Sequence, residues 1–427
     1  MGRKLARGVD IIGVGMTELG FVSETPALKN MTSRELWVWA ALEAMQDAGV
    51  SPRDVDAFYV GNMIGEYAED QYHLSNIIAQ WTGLGCGEGV WKPGVRIEGA
   101  CASSSHALRQ AVFAIASGAC DVVMAGGAEI NNAKFSSKDP GVPRKMTNEE
   151  RLAGIYCHYD QAWEMPQLSI QDMVLSQWLI AYGKQYGLGP DTLLDVLDAR
   201  LLSNIRNGHL NPKTYWNRTL EEVAAEAGFE NPREFLRSPS HNPVSYWPMR
   251  LWDGPRRCDG GAVLILCAAE MSSRFSRKPI HVLGTGNAHG TSLSEPMYTQ
   301  PFIVEASRQA YEMAGVIPSD VDIVEMYDFA PSEYLIPLED FGYFGRGEGW
   351  KAIVDGRTTF EGDKPVNTSG GASTGLVVGS VGAIGTYHLV KQLRGEAGAN
   401  QVRPVPEVAL LFDCGAARDG VIHIYGR

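Results

Sequence analysis

AGVSPRDVD at residues 48–56 returns as AGVIPSDVD at residues 314–322, with seven of the nine positions identical. Each copy follows an amphipathic helix pattern, Leu36–Ala48 and Ile303–Ala314. Each precedes an apolar β-run, Ala57–Val60 and Ile323–Met326. Upstream of each helix lies a glycine-punctuated strand, Ile11-Ile12-Gly13-Val14-Gly15 and His281-Val282-Leu283-Gly284-Thr285-Gly286. The order strand, helix, strand is therefore duplicated, which predicts two halves, 1–270 and 278–427.

Working outward, the first half continues with an extended run to Cys101, a helix, and a strand Asp121–Ala125 closed by Gly126-Gly127. The second half repeats this with a strand Pro365–Thr368 entering Ser369-Gly370-Gly371, a helix over Gly382–Arg394, and a strand Val408–Phe412 closed by Cys414-Gly415. Val421–Tyr425 reads as a last strand. Alternating strands and helices predict α/β layers. Residues 131–250 break the rhythm with charged helices (Gln171–Tyr186, Asp191–Asn207, Leu220–Ala227) and many Trp, Tyr, Pro and Asn residues. They read as an inserted loop domain, of the kind that covers a site or makes an oligomer contact.

The 427 residues are 44% hydrophobic and 20% charged, as in an ordinary globular protein. A net charge of −13 gives nucleic-acid binding no electrostatic support. No apolar run reaches the roughly 18 residues of a membrane span. The N-terminus, Met1–Arg7, runs into a β-like segment and not a signal peptide. Cys86, Cys101, Cys120, Cys157, Cys258, Cys267 and Cys414 form no C-x-x-C pair. A reduced, cytoplasmic protein is expected, with no disulfide framework and no metal site.

Cys101 is the foremost candidate for chemistry. It stands in Val95-Arg96-Ile97-Glu98-Gly99-Ala100-Cys101-Ala102-Ser103-Ser104-Ser105, where an extended run turns into a helix. A helix N-terminus lowers a thiol pKa, and the thiolate is the nucleophile. A small buried core cysteine fits the same local pattern.

Taken together, the motifs resemble the thiolase superfamily. Its nucleophile motif C-A-S-G/S, followed by a helix and A-G-G-x-E, is matched by Cys101-Ala102-Ser103-Ser104 and Ala125-Gly126-Gly127-Ala128-Glu129. Cys414-Gly415-Ala416-Ala417-Arg418-Asp419-Gly420 resembles its C-x-G-G-G-x-G, and Asn367-Thr368-Ser369-Gly370-Gly371 its N-x-x-G-G. Arg257-Cys258-Asp259-Gly260-Gly261-Ala262 resembles its S-D-G-A-A strand entry. The resemblance implies a thiolase fold, a duplicated five-layer αβαβα core with an inserted loop domain. It implies Cys101 as nucleophile, Cys414 as acid/base, and coenzyme A or acyl-CoA as substrate with no covalently bound cofactor. Asn367, Gly370, Gly371 and Gly415 would hold oxyanion or substrate.

Two imidazoles of the family pattern are absent. Where G-H-P-x-G-A-T-G is usual, Gly379-Ser380-Val381-Gly382-Ala383-Ile384-Gly385 stands, so Ser380 is the nearest counterpart of its His. Where sterol-carrier-type members carry H-D-C-F, Tyr327-Asp328-Phe329-Ala330 stands, putting Tyr327 among the candidate catalytic residues. His388, one turn on, is a candidate substitute base. Leu338–Phe344 with Gly347-Glu348-Gly349, and Gln392–Val402, resemble the branch that works with a small zinc-ribbon/OB-fold acyl-CoA partner. That branch includes archaeal acetoacetyl-CoA thiolases, the benzoylsuccinyl-CoA thiolase and steroid side-chain retro-aldolases. A homodimer is expected, paired near Asp121–Ala125, with a partner subunit on each protomer. Three functions stay open: a thiolase acting on a 3-oxoacyl-CoA, an aldol lyase acting on a 3-hydroxyacyl-CoA, and a non-catalytic acyl-CoA carrier or scaffold. The inserted aromatics (Trp163, Tyr215, Trp216, Tyr246, Trp247, Trp252) suit a bulky or aromatic acyl group.

Overall fold

A computed structural model describes residues 4–83, 91–136, 139–156, 158, 171–275, 278–290 and 296–427. Cys86, Cys157 and Trp163 lie outside them. Among the described residues, nine strands form one mixed sheet. They are β1 (Val9–Met16), β2 (Ala57–Gly61), β3 (Gly94–Ile97), β4 (Val122–Glu129), β5 (Gly260–Ala268), β6 (Ile280–His289), β7 (Ile323–Met326), β8 (Val408–Gly415) and β9 (Asp419–Gly426). The order is β7-β8-β9-β6-β1-β5-β4-β2-β3. Read outward from the β1–β6 junction, the two directions are alike. Val366, in a lone parallel bridge to Val324, stands where the second half's outermost strand belongs.

The helices that position the site are α1 (Ser33–Ala48), α2 (Ser103–Ala116), α3 (Gln171–Tyr186), α4 (Pro190–Leu210), α5 (Pro301–Ala314), α6 (Pro331–Asp340) and α7 (Val381–Arg394). The repeat explains how each half is stapled. Gly49 and Gly315 end α1 and α5 at φ +70° and +72°, a left-handed conformation that carries no Cβ penalty in glycine. Asp54 and Asp320 then accept the backbone N–H of Ser51 and Ile317 at 2.8 and 2.9 Å. The last aspartate of each copy pins a neighbouring strand. Asp56 Oδ2 accepts the N–H groups of Asp121 and Val122, and Asp322 Oδ2 those of Glu407 and Val408. The glycine pairs ahead of the helices have one purpose too: a Cβ at Gly13 or Gly15 would strike the backbone of α1, and one at Gly284 or Gly286 that of α5.

Five layers follow. α1 covers β1, β5 and β4, α2 and α7 lie between the two half-sheets, and α5 covers β6 and β9. Leu108, Val112 and Ile115 of α2 share the central apolar cluster with Leu389, Val390 and Leu393 of α7. Full burial of such side chains stabilises by about 1.5–3 kcal/mol each. Between β4 and β5 the chain inserts two short hairpins and a set of helices that includes α3 and α4. α4 is anchored to the strand ends of the second half through a buried pair. Arg200 Nε and Nη2 donate to Asp328 Oδ2 at 3.2 and 2.8 Å, and Asn204 Nδ2 donates to the same oxygen at 2.7 Å.

Two expectations are corrected. Pro365–Thr368 forms only the Val366 bridge, because Asn367 turns the chain at φ +49°. The segment Asp121–Ala125 is not at an edge: β4 pairs with β5 and β2, and the parallel run continues to β3, which is the edge strand. Among the described residues no helix is long and apolar enough to cross a membrane.

Candidate active site

β3 ends at Ile97, and Ala100–Ala102 makes one 3₁₀ turn before α2 begins at Ser103. Ala100, beside Cys101, is held at φ +51°; Ala416 and Ala417, just after Cys414, are at +51° and +58°. A non-glycine residue there costs roughly 1–2 kcal/mol, and such strain concentrates at functional sites. Ala416 and Ala417 thus hold a left-handed backbone at positions where the resembled motif has glycines. The two loops touch: a Cβ on Gly415 would sit 2.5 Å from the Gly99 carbonyl oxygen. Glycine at 415 lets a strand end of the second half meet the cysteine turn of the first.

Cys101, Cys414 and Tyr327 are all buried in one cluster. The Tyr327 hydroxyl donates to Cys101 Sγ at 3.5 Å. Its ring stacks on Phe329 at 6.2 Å, and the Arg257 guanidinium lies 5.3 Å over Phe329. Burial pushes the Cys101 thiol up to about 12, Asp413 and Glu333 push the same way, and Tyr327 and Arg257 oppose them. Burial thus acts against the lowered pKa expected of a helix N-terminus. Burial also lifts Cys414 well above the usual thiol range, with Glu333 the strongest neighbouring charge. Tyr327 is lifted by burial and by Cys101 and Glu333. Burial therefore favours the neutral form of both thiols in the resting site.

Among the other candidates from the sequence, none has a hydrogen bond to either thiol, but Gly371 and His388 share a cavity wall with Tyr327. Ser380 is the buried residue before α7, with its hydroxyl against Gly127 of β4. Asn367 Oδ1 accepts the Met326 N–H at 2.7 Å, and its amide faces Gly371. Gly370, at φ +106°, packs on Gly208 of α4, and Gly371, at +56°, packs on Asp328. His388 lines a cavity of about 40 Å³ with Glu325, Asp328 and Gly371. Burial lowers its imidazole to about 3, with Lys213 adding to the effect, so it is neutral. Sequence reading missed Glu333, Asp413 and Arg257. Glu333 stands on α6, a helix whose ten residues are all buried, a placement that no motif in the sequence marks.

A cavity of about 810 Å³ has Gly99, Ala100, Gly415 and Ala416 in its wall, so it reaches the backbone next to both thiols. Its size falls in the range of small-molecule sites. Glu98, also in the wall, accepts the Ala100 N–H at 2.6 Å and pairs with His158 Nε2 at 3.1 Å. Tyr67 and Tyr72 are its aromatic lining. Trp216 and Trp252 meet edge to face at 5.9 Å, with Arg256 over both rings, whereas Trp178 and Tyr182 of the insertion belong to the cluster that holds the thiols. The segments linked by resemblance to a partner subunit are largely interior. Leu338, Phe341, Tyr343 and Phe344 are buried, Glu339 accepts the N–H groups of Gly347 and Gly349 at 2.8 Å each, and Gln392 and Gln401 bond to each other.

Comparisons with known proteins cover the same span. Residues 9–181 match the model described as thiolase, N-terminal domain, and residues 284–427 that described as thiolase C-terminal domain-like. The acetyl-CoA acetyltransferase of Methanothermobacter thermautotrophicus is 32% identical, over 99% of this chain and 100% of its own. The benzoylsuccinyl-CoA thiolase subunit BbsB of Thauera aromatica is 27% identical, over 95% of this chain and 94% of its own. A solved structure described as Ltp2-ChsH2(DUF35) aldolase superposes with a TM-score of 0.74 at 22% identity, covering 98% of each chain.

Proposed function

The chain belongs to the thiolase family, and on that premise we propose that it cleaves or forms the bond between Cα and the keto carbon of a 3-oxoacyl-CoA, through an acyl thioester on Cys101. Cys101 attacks the keto carbon. Cys414 protonates the departing carbanion and then activates the incoming coenzyme A. The Tyr327 hydroxyl steadies the sulfur and the developing oxyanion. Coenzyme A is a substrate, and no covalently bound cofactor takes part. The observation that carries the reading is the hydrogen bond from Tyr327 to the Cys101 thiol, with Cys414 of the other half buried in the same cluster.

The test is product analysis on a panel of 3-oxoacyl-CoA and 3-hydroxyacyl-CoA esters, with mass spectrometry of Cys101 after trapping. An acyl-Cys101 ester and a pair of acyl-CoA products support the proposal; turnover by Cys101→Ala overturns it. Tyr327 in place of an imidazole favours one second reading, aldol cleavage with the phenol as proton acceptor, which releases a carbonyl compound and no acyl-enzyme.

We further propose a cytoplasmic homodimer formed along β3, the edge strand, where Val95 and the nearby Trp91 and Tyr72 are exposed. A small zinc-ribbon/OB-fold subunit completes the assembly, a proposal supported by the DUF35 partner in the superposed aldolase. Residues 1–270, with 131–250 inserted, and 278–427 are proposed as the two units that bring Cys101 and Cys414 together.

A further inference from the structure

We propose that His106 and Asp419 form a positioning clamp, which holds the Cys414 turn of the second half on the Cys101 turn of the first. The pair joins the halves directly. His106, on α2, places its Nε2 2.6 Å from Oδ2 of Asp419, the first residue of β9. The two side chains are only 15% and 9% exposed. Each also packs on a glycine of a cysteine turn. A Cβ on Gly99, two residues before Cys101, would lie 2.5 Å from the His106 ring. A Cβ on Gly415, next to Cys414, would lie 3.3 Å from Asp419 Oδ2. Asp419 is itself fixed within the second half, because Asn287 Nδ2 of β6 donates to its Oδ1 at 2.7 Å. His289, also on β6, stacks on the His106 ring at 6.4 Å and stands 3.5 Å from the same oxygen. The bond from His106 thus ties a carboxylate anchored in one half to the other half.

The turn needs such a clamp because its backbone is strained. The Gly415 carbonyl accepts the Arg418 N–H at 3.1 Å across Ala416 and Ala417, both at positive φ, and Gly415 pairs with Asp419 where β8 meets β9. Two consecutive positive φ values mark a type I′ turn, whose central positions call for Asn-Gly. Two alanines there persist only where the surroundings hold them. The clamp supplies that hold at Asp419, the residue that closes the turn. A hydrogen bond to a carboxylate is stronger than a neutral one, and strongest away from water. The pair acts on the thiols through the backbone of their turns. In the acyl-transfer reading above, Cys101 and Cys414 serve one substrate, and a misplacement of about 1 Å costs ~10²-fold in rate. Gly99, Gly415 and Asp419 are all in the wall of the 810 Å³ cavity, so the clamp also shapes the space next to both turns.

The test is the rate at which iodoacetamide alkylates Cys101 and Cys414 in the full protein, read by peptide mass spectrometry at one fixed pH. Both thiols are buried, so turns that come apart expose them. His106→Ala should raise both rates about tenfold or more, the worth of one hydrogen bond to a charged group. Asp419→Ala breaks the same bond from its other end and decides the matter should His106→Ala fail to fold. His106→Gln keeps an N–H donor at similar reach and should return both rates to near wild type. The control is His281→Ala. It removes another bond between the halves, His281 Nδ1 to Asp10 Oδ1 at 2.6 Å, eight residues back along β6 from His289 and so roughly 26 Å away. It should leave both thiols at the wild-type rate, even where it lowers the unfolding temperature. Unchanged rates in His106→Ala and Asp419→Ala overturn the proposal. So does an equal rise in His281→Ala, which would make His106 a general staple, and so does failure of His106→Gln to recover. Acyl transfer from a 3-oxoacyl-CoA to coenzyme A is assayed separately. The expected alkylation rates without acyl transfer by the wild type leave the clamp standing and remove the thiolase reading.

Discussion

Tyr327→Phe removes one oxygen from the centre of the site and leaves the rest of the side chain in place. The stack on Phe329 at 6.2 Å survives, as does the buried environment. In the resting protein the lost interaction is a neutral O–H···S hydrogen bond at 3.5 Å, worth about 0.5–1.5 kcal/mol at most. Thermal unfolding therefore shifts by only a few degrees. Catalysis loses more. Once the sulfur is a thiolate, or the substrate oxygen an alkoxide, the same hydroxyl donates to a charge in a dry pocket, where a hydrogen bond is worth about 1.5–3 kcal/mol. The expected loss in turnover is about 10- to 10²-fold, with acyl-Cys101 still formed. The assay is paired turnover of Tyr327→Phe and Cys101→Ala on one substrate. An inactive Tyr327→Phe beside an active Cys101→Ala identifies Tyr327 as the proton acceptor of an aldolase. Undiminished turnover in Tyr327→Phe refutes any role for its hydroxyl.

Gly415→Ala drives a methyl group against the Gly99 carbonyl and separates the two cysteine loops; turnover should fall at least tenfold in steady-state assays, a loss of about 1.4 kcal/mol or more, while the fold persists by circular dichroism. Arg200→Met leaves the Asp328 carboxylate buried without its cation, so urea unfolding should show a loss of about 3–5 kcal/mol. Burial raises the Glu69 carboxyl to about 7, above its unfolded value. Its contribution to stability is therefore full below the unfolded pKa and lost as pH rises through 7. Glu69→Gln can keep both bonds to Ser33; it should match wild type at pH 5 and be more stable at pH 8 by up to ~3 kcal/mol, and equal differences at the two pH values would refute the titration.

The duplication was legible because its determinants are local. A glycine must end α1 and α5, a proline and an aspartate must shape each 3₁₀ turn, and a second aspartate must reach the next strand's free N–H groups. Each requirement leaves a letter at a fixed spacing, so two halves and their layers could be read from nine residues seen twice. The three strand ends that carry Cys101, Cys414 and Tyr327 were legible for a similar reason, the cysteines in motifs that resemble the family's and Tyr327 where that pattern has a histidine. Four features were decided only by the tertiary structure. The pKa of Cys101 depends on how much water the packed halves exclude, and that exclusion raises it, against the direction expected from a helix end. The edge strand is β3 because sheet order depends on pairing across distant segments. Asn367, Gly370 and Gly371 carry motif letters, but only the fold sets Gly371 and His388 in the wall of a small cavity that Tyr327 and Asp328 also line. Glu333 carries no motif, and only the fold buries its carboxylate, on α6, where its charge bears on Cys101 and Cys414.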